Sequence, residues 1–486
     1  MRFSSTTCTS TIQPIPRLAF LAALYNRNFR YLWLSFICSS FVQRMDGIML
    51  GWLVLEMTHS ATWVGLIAAV RFLGALLGPL TGVMADRVDR RHLSLATLGI
   101  MTLVIAVLVV LVVMRRLEIW HLFAATTIRG VLWAFFQPAQ QSLQADILTG
   151  RELPNGISLI NMAMNMTSII GPVLGGLLLA CCRPALRVLD WSDSDMVLRL
   201  NWSTYDAQHL YATTSMGKVL ISRDLGVNWT SAPFSLPGVI ARSLAFEGAA
   251  IGVQWAYLTL LSLHLIQLFC YIALRIPPHT RRHTDVSIWQ NLRDGMYYVR
   301  QDTRIWTALG LAALVNWVSF PLSFTLLPIF ARDVFSVGAA GLGVLAAAVG
   351  VGALLGSWFM MATGTVRRAG SLMLVGTLLW QCFILVFALT SNYYLALGAL
   401  VFIGISQSMS LTNISIMLLG TGSREMRGRI MGLRSLAVAP LFFGSLFSGI
   451  AAEHIGASHT AIICAVLGLM VVIGIAPWVP RGAPGN

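Results

Sequence analysis

Read as a pattern of apolar and polar positions, the chain is a succession of long apolar runs of about 20 residues or more, the length a helix needs to cross about 30 Å of hydrocarbon. Twelve runs are predicted, near 31–56, 62–85, 93–114, 119–145, 156–181, 249–275, 305–330, 337–361, 370–390, 394–419, 431–452 and 459–478. The pattern predicts an all-α membrane protein of twelve transmembrane helices in two six-helix halves, with a small β-rich insert on the extracytoplasmic side. It divides the 486 residues into an N-terminal segment 1–30, five spans in 31–181, the insert 182–248, a sixth span 249–275, a linker 276–304, six spans in 305–478 and a tail 479–486. Within the first segment, RLAFLAALYNRNFR from Arg17 reads as a short amphipathic helix on the membrane surface, with no signal-cleavage pattern before it.

Composition supports this class. With 57% hydrophobic and 11% charged residues, a water-soluble globule could not bury the apolar side chains inside a polar shell. The net charge of +14 would suggest nucleic acid in a soluble protein, but here its distribution decides. With the N-terminus inside, the short inner connectors hold about 21 Lys and Arg and the short outer ones about 3. Both termini are therefore predicted to be cytoplasmic, the insert extracytoplasmic, and the protein multi-pass in the cell membrane. The lipid bilayer is its surroundings, and no nucleic-acid partner is expected. Seven cysteines are scattered, mostly in apolar runs, with neither a disulfide framework nor metal-ligand spacing.

The halves echo one another. Asn155 to Gly171 and Gly428 to Gly444 have equal spacing, and each leads into a small-residue patch, GPVLGG with Gly171, Pro172, Gly175 and Gly176, and GSLFSG from Gly444. Such patches let helix backbones approach closely, and runs five and eleven are expected to be equivalent members of an internal repeat. In the linker, Ile288, Leu292, Met296 and Val299 fall on one helical face, predicting an interfacial helix.

Between runs two and three, GVMADRVDRRH places five charges in six residues. Gly82 permits close helix contact, Asp86 can accept hydrogen bonds from free N–H groups at a neighbouring helix start, and Arg87, Arg90 and Arg91 can bridge carboxylates or lipid phosphates. Such a latch would break when the halves rock; the plainer alternative is a set of positive-inside charges. The stretch resembles the loop between spans two and three of the major facilitator superfamily, patterned G-x-L-A-D-R-x-G-R-R. Further matches run in order: NRNFRYLWL from Asn26, GWLVLEMTHSA from Gly51, IRGVLWAF from Ile128, QPAQQSL from Gln137, RELPNGISL from Arg151, GPVLGG, and RGRIMGLRSL from Arg427. They are similar to the exporter branch that contains the enterobactin exporter and macrolide efflux proteins, and imply its fold. Met84 and Asp89 depart from the pattern, and Asp89 removes the backbone freedom of the second glycine.

Charges inside the predicted spans are costly unless they face water, one another or a solute. Arg44, Asp46, Arg71 and Arg129 all lie in the first half. The resemblance gives Arg129 the place of the span-four arginine of proton-coupled exporters, which tunes a nearby carboxylate. Asp46 is the acid nearest the middle of any span and is the protonation candidate; the alternative is a static pair with Arg44 or Arg129. Three arginines against one aspartate favour an anionic or catechol-like solute. Arg44 and Asp46, about 200° apart on a helix, should not face one cavity. Arg44, Arg71, Trp133, Gln137, Asn316 and Gln407 are the substrate-path candidates, with Gln43, Asn161, Asn165, Trp317 and Asn413 also suited to line a path or to bond neighbouring helices. His264 reads as an interhelical hydrogen-bonding group.

The insert lies outside the transporter pattern. HLYATT from His209, KVLIS from Lys218 and ARSLAF from Ala241 alternate as strands. Ser222, Asp224, Gly226 and Trp229 resemble the Asp-box, S-x-D-x-G-x-x-W, of sialidase-like (BNR) propeller blades. There Asp224 would bond its own turn, Gly226 supply a positive φ and Trp229 pack the hairpin. One blade has edges to protect, so the insert is either a lid or docking module for an extracytoplasmic protein, or a tolerated insertion.

The expected activity is a secondary exporter of a small organic solute (siderophore-like, macrolide or another drug), driven by proton antiport through alternating access. A proton-linked importer of an organic anion and a transport-dead receptor binding protein through its insert are the alternatives. No nucleotide motif, catalytic constellation or cofactor site is found, so an enzyme is not expected.

Overall fold

A computed structural model describes residues 23–78, 89–148, 152–180, 197–202, 210–214, 218–222, 230–235, 238–274, 293, 296–297, 299–363, 369–421, 433–434 and 436–479. In chain order its helices are α1 (Arg27–Thr58), α2 (Ala61–Arg71), α3 (Arg90–Val113), α4 (Ile119–Ile147), α5 (Glu152–Ala180), α6 (Gly238–Ala273), α7 (Thr303–Leu314), α8 (Ala339–Thr363), α9 (Ala369–Leu389), α10 (Tyr393–Thr421), α11 (Pro440–Ile455) and α12 (Ala457–Ile475). Among the described residues, nine stretches are long and apolar enough to cross a membrane, and they coincide with predicted runs three to ten and twelve. Helices α1, α2 and α11 occupy the places of the other three.

Local chemistry sets the ends. Asn26 caps α1 by accepting from the backbone N–H of Asn28 and Phe29 at 3.0 and 3.3 Å, and α1 ends at His59 with φ 54°. Asp89 caps α3, its Oδ1 accepting from Arg91 and His92 N–H at 2.8 and 3.1 Å. The aspartate that replaces a family glycine therefore has a structural task. Beyond α7, the chain continues through π turns at Val315–Ser319, Leu322–Leu326 and Phe330–Val334. Pro321 and Pro328 sit between these turns, and each lacks the N–H that a regular α ladder requires.

Burial locates the meeting of the halves. One apolar core, including Val54, Val64, Tyr257, Phe330, Leu342 and Leu400, joins helices of both halves at the end where α1 turns into α2. At the opposite end the core divides: Phe29, Leu32, Met101, Phe136 and Ile160 pack within the first half, and Ile305, Leu311, Met373, Met417 and Val472 within the second. The bundle is thus closed at the α1–α2 turn and has two separate cores at its other end.

The repeat read from the sequence is visible as packing. Gly171 and Gly175 of α5 lie against Arg44 and Met45 of α1, while Pro172 and Gly176 meet Gly343 of α8. Likewise Gly444 of α11 lies against the backbone of Trp317, and Gly449 meets Gly65 of α2. Each repeat helix thus touches the first helix of its own half and the second helix of the other. A Cβ on Gly65 or Gly449 would stand 2.5 Å from the other's Cα, so this crossing accepts no side chain.

Between α5 and α6, four strands form one antiparallel sheet in the order β1 (Val197–Trp202), β2 (Leu210–Thr214), β3 (Lys218–Ser222), β4 (Thr230–Ser235). Register pairs Tyr211 with Ile221, Leu200 with Ala212 and Leu220 with Ser231. β2 and β3 fall where alternation predicted them, and β1 and β4 escaped prediction. ARSLAF is helical and the insert ends earlier than 248, because α6 starts at Gly238. The run from Gly238 into the apolar span has no turn signal to stop a helix, and this outweighs a six-residue alternation. The RLAFLAALYNRNFR segment before Ala23, Gly82, Asp86, Arg87, Ile288, Leu292, Asp224, Gly226 and Trp229 lie outside the described residues; of the linker's apolar face, Val299 is buried and Met296 exposed.

Candidate functional site

The closest gathering of charge in the apolar interior is built on three helices of the first half. Asp46, in the middle of α1, is buried. Its Oδ2 accepts from Arg71 Nη1 at 2.9 Å, and its Oδ1 from Arg129 Nη1 at 2.7 Å. Arg71 Nη2 also donates to the backbone O and to Oε1 of Gln43, both at 2.9 Å. Gln43 lies three residues before Asp46, so one face of α1 presents both the carboxylate and the amide that orient Arg71. The three charged side chains are nearly closed off, with side-chain exposures of 13% for each arginine and 7% for the aspartate.

Backbone geometry explains how two like-charged side chains converge. Arg71 is the last residue of α2; after it the chain tightens into a 3-10 turn at Leu73–Leu77. The break lets Gly74 and Gly130 of α4 pack backbone to backbone, and a Cβ on Gly130 would lie 2.6 Å from Arg71 O. With no side chain between them, the helices bring Arg71 and Arg129 onto one carboxylate. The shared carboxylate holds the cluster together: removing Asp46 would leave two buried guanidiniums facing one another, whereas removing either arginine leaves a single ion pair. Tyr257 and His264 of α6, both buried, lie within electrostatic reach of this cluster. His264 Nδ1 is 2.9 Å from Leu260 O, within its own helix.

The candidates named from the sequence thus separate. Asp46 and Arg129 are together as expected; Arg71, read as lining a path, is instead a second partner of the carboxylate. Asp46 does not pair with Arg44. Arg44 is accessible and lies within electrostatic reach of Arg71. Arg44 has no hydrogen-bond or ion-pair partner among the described residues. Trp133 is half-buried 5.7 Å from the Phe136 ring, Gln137 is exposed and Gln407 half-buried. Asn316 and Asn413 are buried and donate to carbonyls of their own helices, Ala312 and Met409, each at 2.8 Å. Asn161 is exposed, Asn165 half-buried and Trp317 exposed. Of the predicted latch, Arg91 donates to Ile272 O at 3.1 Å, and the backbone of Arg90 starts α3. Ser222 closes β3.

Sequence reasoning missed a second polar site, at the closed end. Glu453 near the end of α11 accepts from Ser60 Oγ at 2.9 Å, Ala61 N–H at 2.5 Å and Thr62 N–H at 3.1 Å. A carboxylate of one half thereby caps the first helical turn of α2 in the other. The detectable signal was Ser60 before an apolar run; its partner, nearly four hundred residues away, left none.

Comparison with known proteins completes the picture. The family described as Transmembrane secretion effector matches residues 18–267, just over half of the chain, and the one described as Major Facilitator Superfamily matches residues 222–439. The chain belongs to the major facilitator superfamily. The superfamily is one of multi-pass membrane transporters, and the apolar helices described above are those such a protein carries. The chain is 29% identical over 133 residues to the Staphyloferrin A transporter of Staphylococcus aureus, a match covering 27% of the chain and 34% of that protein. It is 28% identical over 106 residues to an uncharacterized MFS-type transporter, YfiS, of Bacillus subtilis, covering 22% and 24% respectively. The matched stretches therefore span about a third and a quarter of these relatives. Among solved structures, a POT family transporter in complex with 5-aminolevulinic acid aligns with TM-score 0.65 at 11% identity over 94% of this chain and 96% of that one. A bacterial homolog of the human lysosomal transporter Spinster, inward-facing and unoccupied, aligns at TM-score 0.60 and 14% identity over 94% and 95%. At such identities the likeness is one of fold.

Proposed function

We propose that this facilitator is a proton-coupled exporter that moves a small, anionic organic solute by alternating access, with both termini cytoplasmic and Asp46 as the coupling carboxylate. The observation that carries the reading is Asp46 itself: among the described residues it is the acid deepest within a helix of the bundle, and it is held between Arg71 and Arg129. A proton on Asp46 removes the charge both arginines face and leaves two like charges at close quarters, so protonation and rearrangement of α1, α2 and α4 are one event. The separate cores at one end and the shared core at the other fit a state closed to the outside. Arg44, unpaired among the described residues and accessible, supplies a charge suited to a carboxylate or catecholate of the solute. The family described as Transmembrane secretion effector and the Staphyloferrin A transporter support export of a siderophore-like molecule. The four-stranded meander, with the size of one propeller blade and an Asp-box-like sequence from Ser222, is read as a lid or docking module over the outer mouth.

The test uses purified protein in oriented vesicles with siderophores, macrolides and organic acids offered with and without a pH gradient. Gradient-driven efflux should be lost in Asp46→Asn, while gradient-independent exchange of the same solute persists. Undiminished gradient-driven efflux in a folded Asp46→Asn protein rejects the coupling role, and uptake in place of efflux rejects the direction.

A further inference from the structure

We propose that the seam between α1 and α6 is a proton path joining Asp46 to the end of the bundle where α1 begins, separate from the route of the solute. The inference rests on Asp46 as the coupling carboxylate, and adds how its proton reaches it.

The two helices run antiparallel and carry polar side chains at matching heights. Asp46 lies within reach of Tyr257 and His264. About two turns nearer the start of α1, Ser39 falls level with Gln267, both buried. Another turn on, Ser35 faces Tyr271, and Ser94 of α3 and Gln140 of α4 close around the same hydroxyl. Cys38 beside Cys270 confirms the register of the two helices. From Ser35 to Asp46 is about 16 Å of helix, so the polar groups span roughly half the hydrocarbon thickness.

What marks the seam as more than helix packing is its incomplete hydrogen bonding. Eleven buried side-chain atoms among the described residues have no partner, and five belong here: Ser35 Oγ, Ser94 Oγ, Gln140 Nε2, Gln267 Nε2 and Tyr271 OH. Tyr271 OH lies close to Ser35, Ser94 and Gln140 without a well-formed bond to any of them. Buried polar atoms left in this way are met by ordered water, and water between hydroxyls and amides is the usual medium of proton relay. The matching position in the second half, where Met373, Met417 and Val472 pack together, is apolar. The second half has four unpartnered atoms of its own, Thr325 Oγ1, Gln381 Oε1, Asn413 Oδ1 and Ser445 Oγ, and no buried acid like Asp46 among its described residues.

Proton arrival at Asp46 can be timed directly. In nanodiscs, a pH jump is followed by the infrared band of a protonated carboxylic acid, assigned to Asp46 by its loss in Asp46→Asn. Tyr271→Phe and Gln267→Leu should slow the appearance of that band by at least about tenfold and leave its midpoint pH unchanged, a combination that general loosening of the fold would not produce. Ser35→Ala and Ser94→Ala delete one oxygen each and provide the same test with less risk to folding, which thermal unfolding checks. An unchanged rate with the band intact overturns the path alone. No Asp46 band at any pH in the wild type overturns both the path and the coupling role.

Discussion

Replacing Gly449 by alanine offers the sharpest test of how the bundle stays closed at the α1–α2 turn. The added Cβ would lie 2.5 Å from Gly65 Cα, and 2.9 Å from both Gly65 N and Ala61 O. All three obstacles are backbone, so no rotamer relieves them. Reaching an ordinary carbon contact of about 3.5–4.0 Å requires α2 and α11 to part by about 1 Å or more. Overpacking of this kind costs about 1–3 kcal/mol, and in the proposed cycle the cost would fall on the closed state, in which the two helices cross. The ratio of closed to open molecules should therefore fall by about 5- to 150-fold. Spin labels on Thr62→Cys and Ile455→Cys, in a background without native cysteines, would report it as a longer distance population. Gly398→Ala is the control, since nothing lies within 4 Å of a Cβ there. A distance distribution for Gly449→Ala that matches the control would refute the reasoning.

Glu453 makes the same end sensitive to pH. Burial by itself raises the affinity of its carboxylate for a proton, but the hydrogen bonds from Thr62, Ser60 and Ala61 outweigh this and hold its pKa below the ordinary 4.5. The closed state thus binds fewer protons than the open one, so the contribution to closure is present above about pH 4.5 and is lost as pH falls through the lower, closed-state value. The same label pair should show closure weakening on acidification in the wild type and a flat response in Glu453→Gln. Glu453→Ala, which removes a cap of about 0.5–2 kcal/mol, should shift the neutral-pH population by about 2- to 30-fold. For the insert, a chain lacking 183–237 should fold and keep α6 but transport at an altered rate or with an altered solute range; unchanged rate and range would reject the lid.

The framework was legible because membrane helices announce themselves through length and apolarity, and because the glycine patches at Gly171 and Gly444 set the repeat in register. The buried carboxylate was legible too, since charge at mid-span is costly and therefore conspicuous. Of its two partners Arg129 was named from the sequence, and Arg71 was not. Whether Arg44 or Arg71 turns toward Asp46 depends on a helix break after Arg71 and on two glycines, Gly74 and Gly130, that bring backbones together, and no periodicity encodes that meeting. The strands β1 and β4 were missed, and ARSLAF misread, for a related reason: over six residues, alternation and helical preference are weak, and the neighbouring span decided the outcome. Glu453 and Ser60 show the extreme case, a cap whose two parts are joined only by the folded bundle.

Those contacts converge on α2. Its first turn is held by Glu453 from the other half, Gly65 lies backbone to backbone against Gly449, its last residue grips Asp46 and Gln43, and the next residue, Phe72, meets Phe324 with ring centroids 5.1 Å apart. A short helix with one end tied to the opposing half and the other to a buried carboxylate cannot respond to one without straining the other. Its break lies between the ion pair and the aromatic contact, so in the proposed cycle a change in the charge of Asp46 would act on Arg71 one residue away from a contact between the halves. The proposed coupling would need no long chain of intermediaries: the ion-paired carboxylate and the closed end lie at two ends of one helix, about three turns apart.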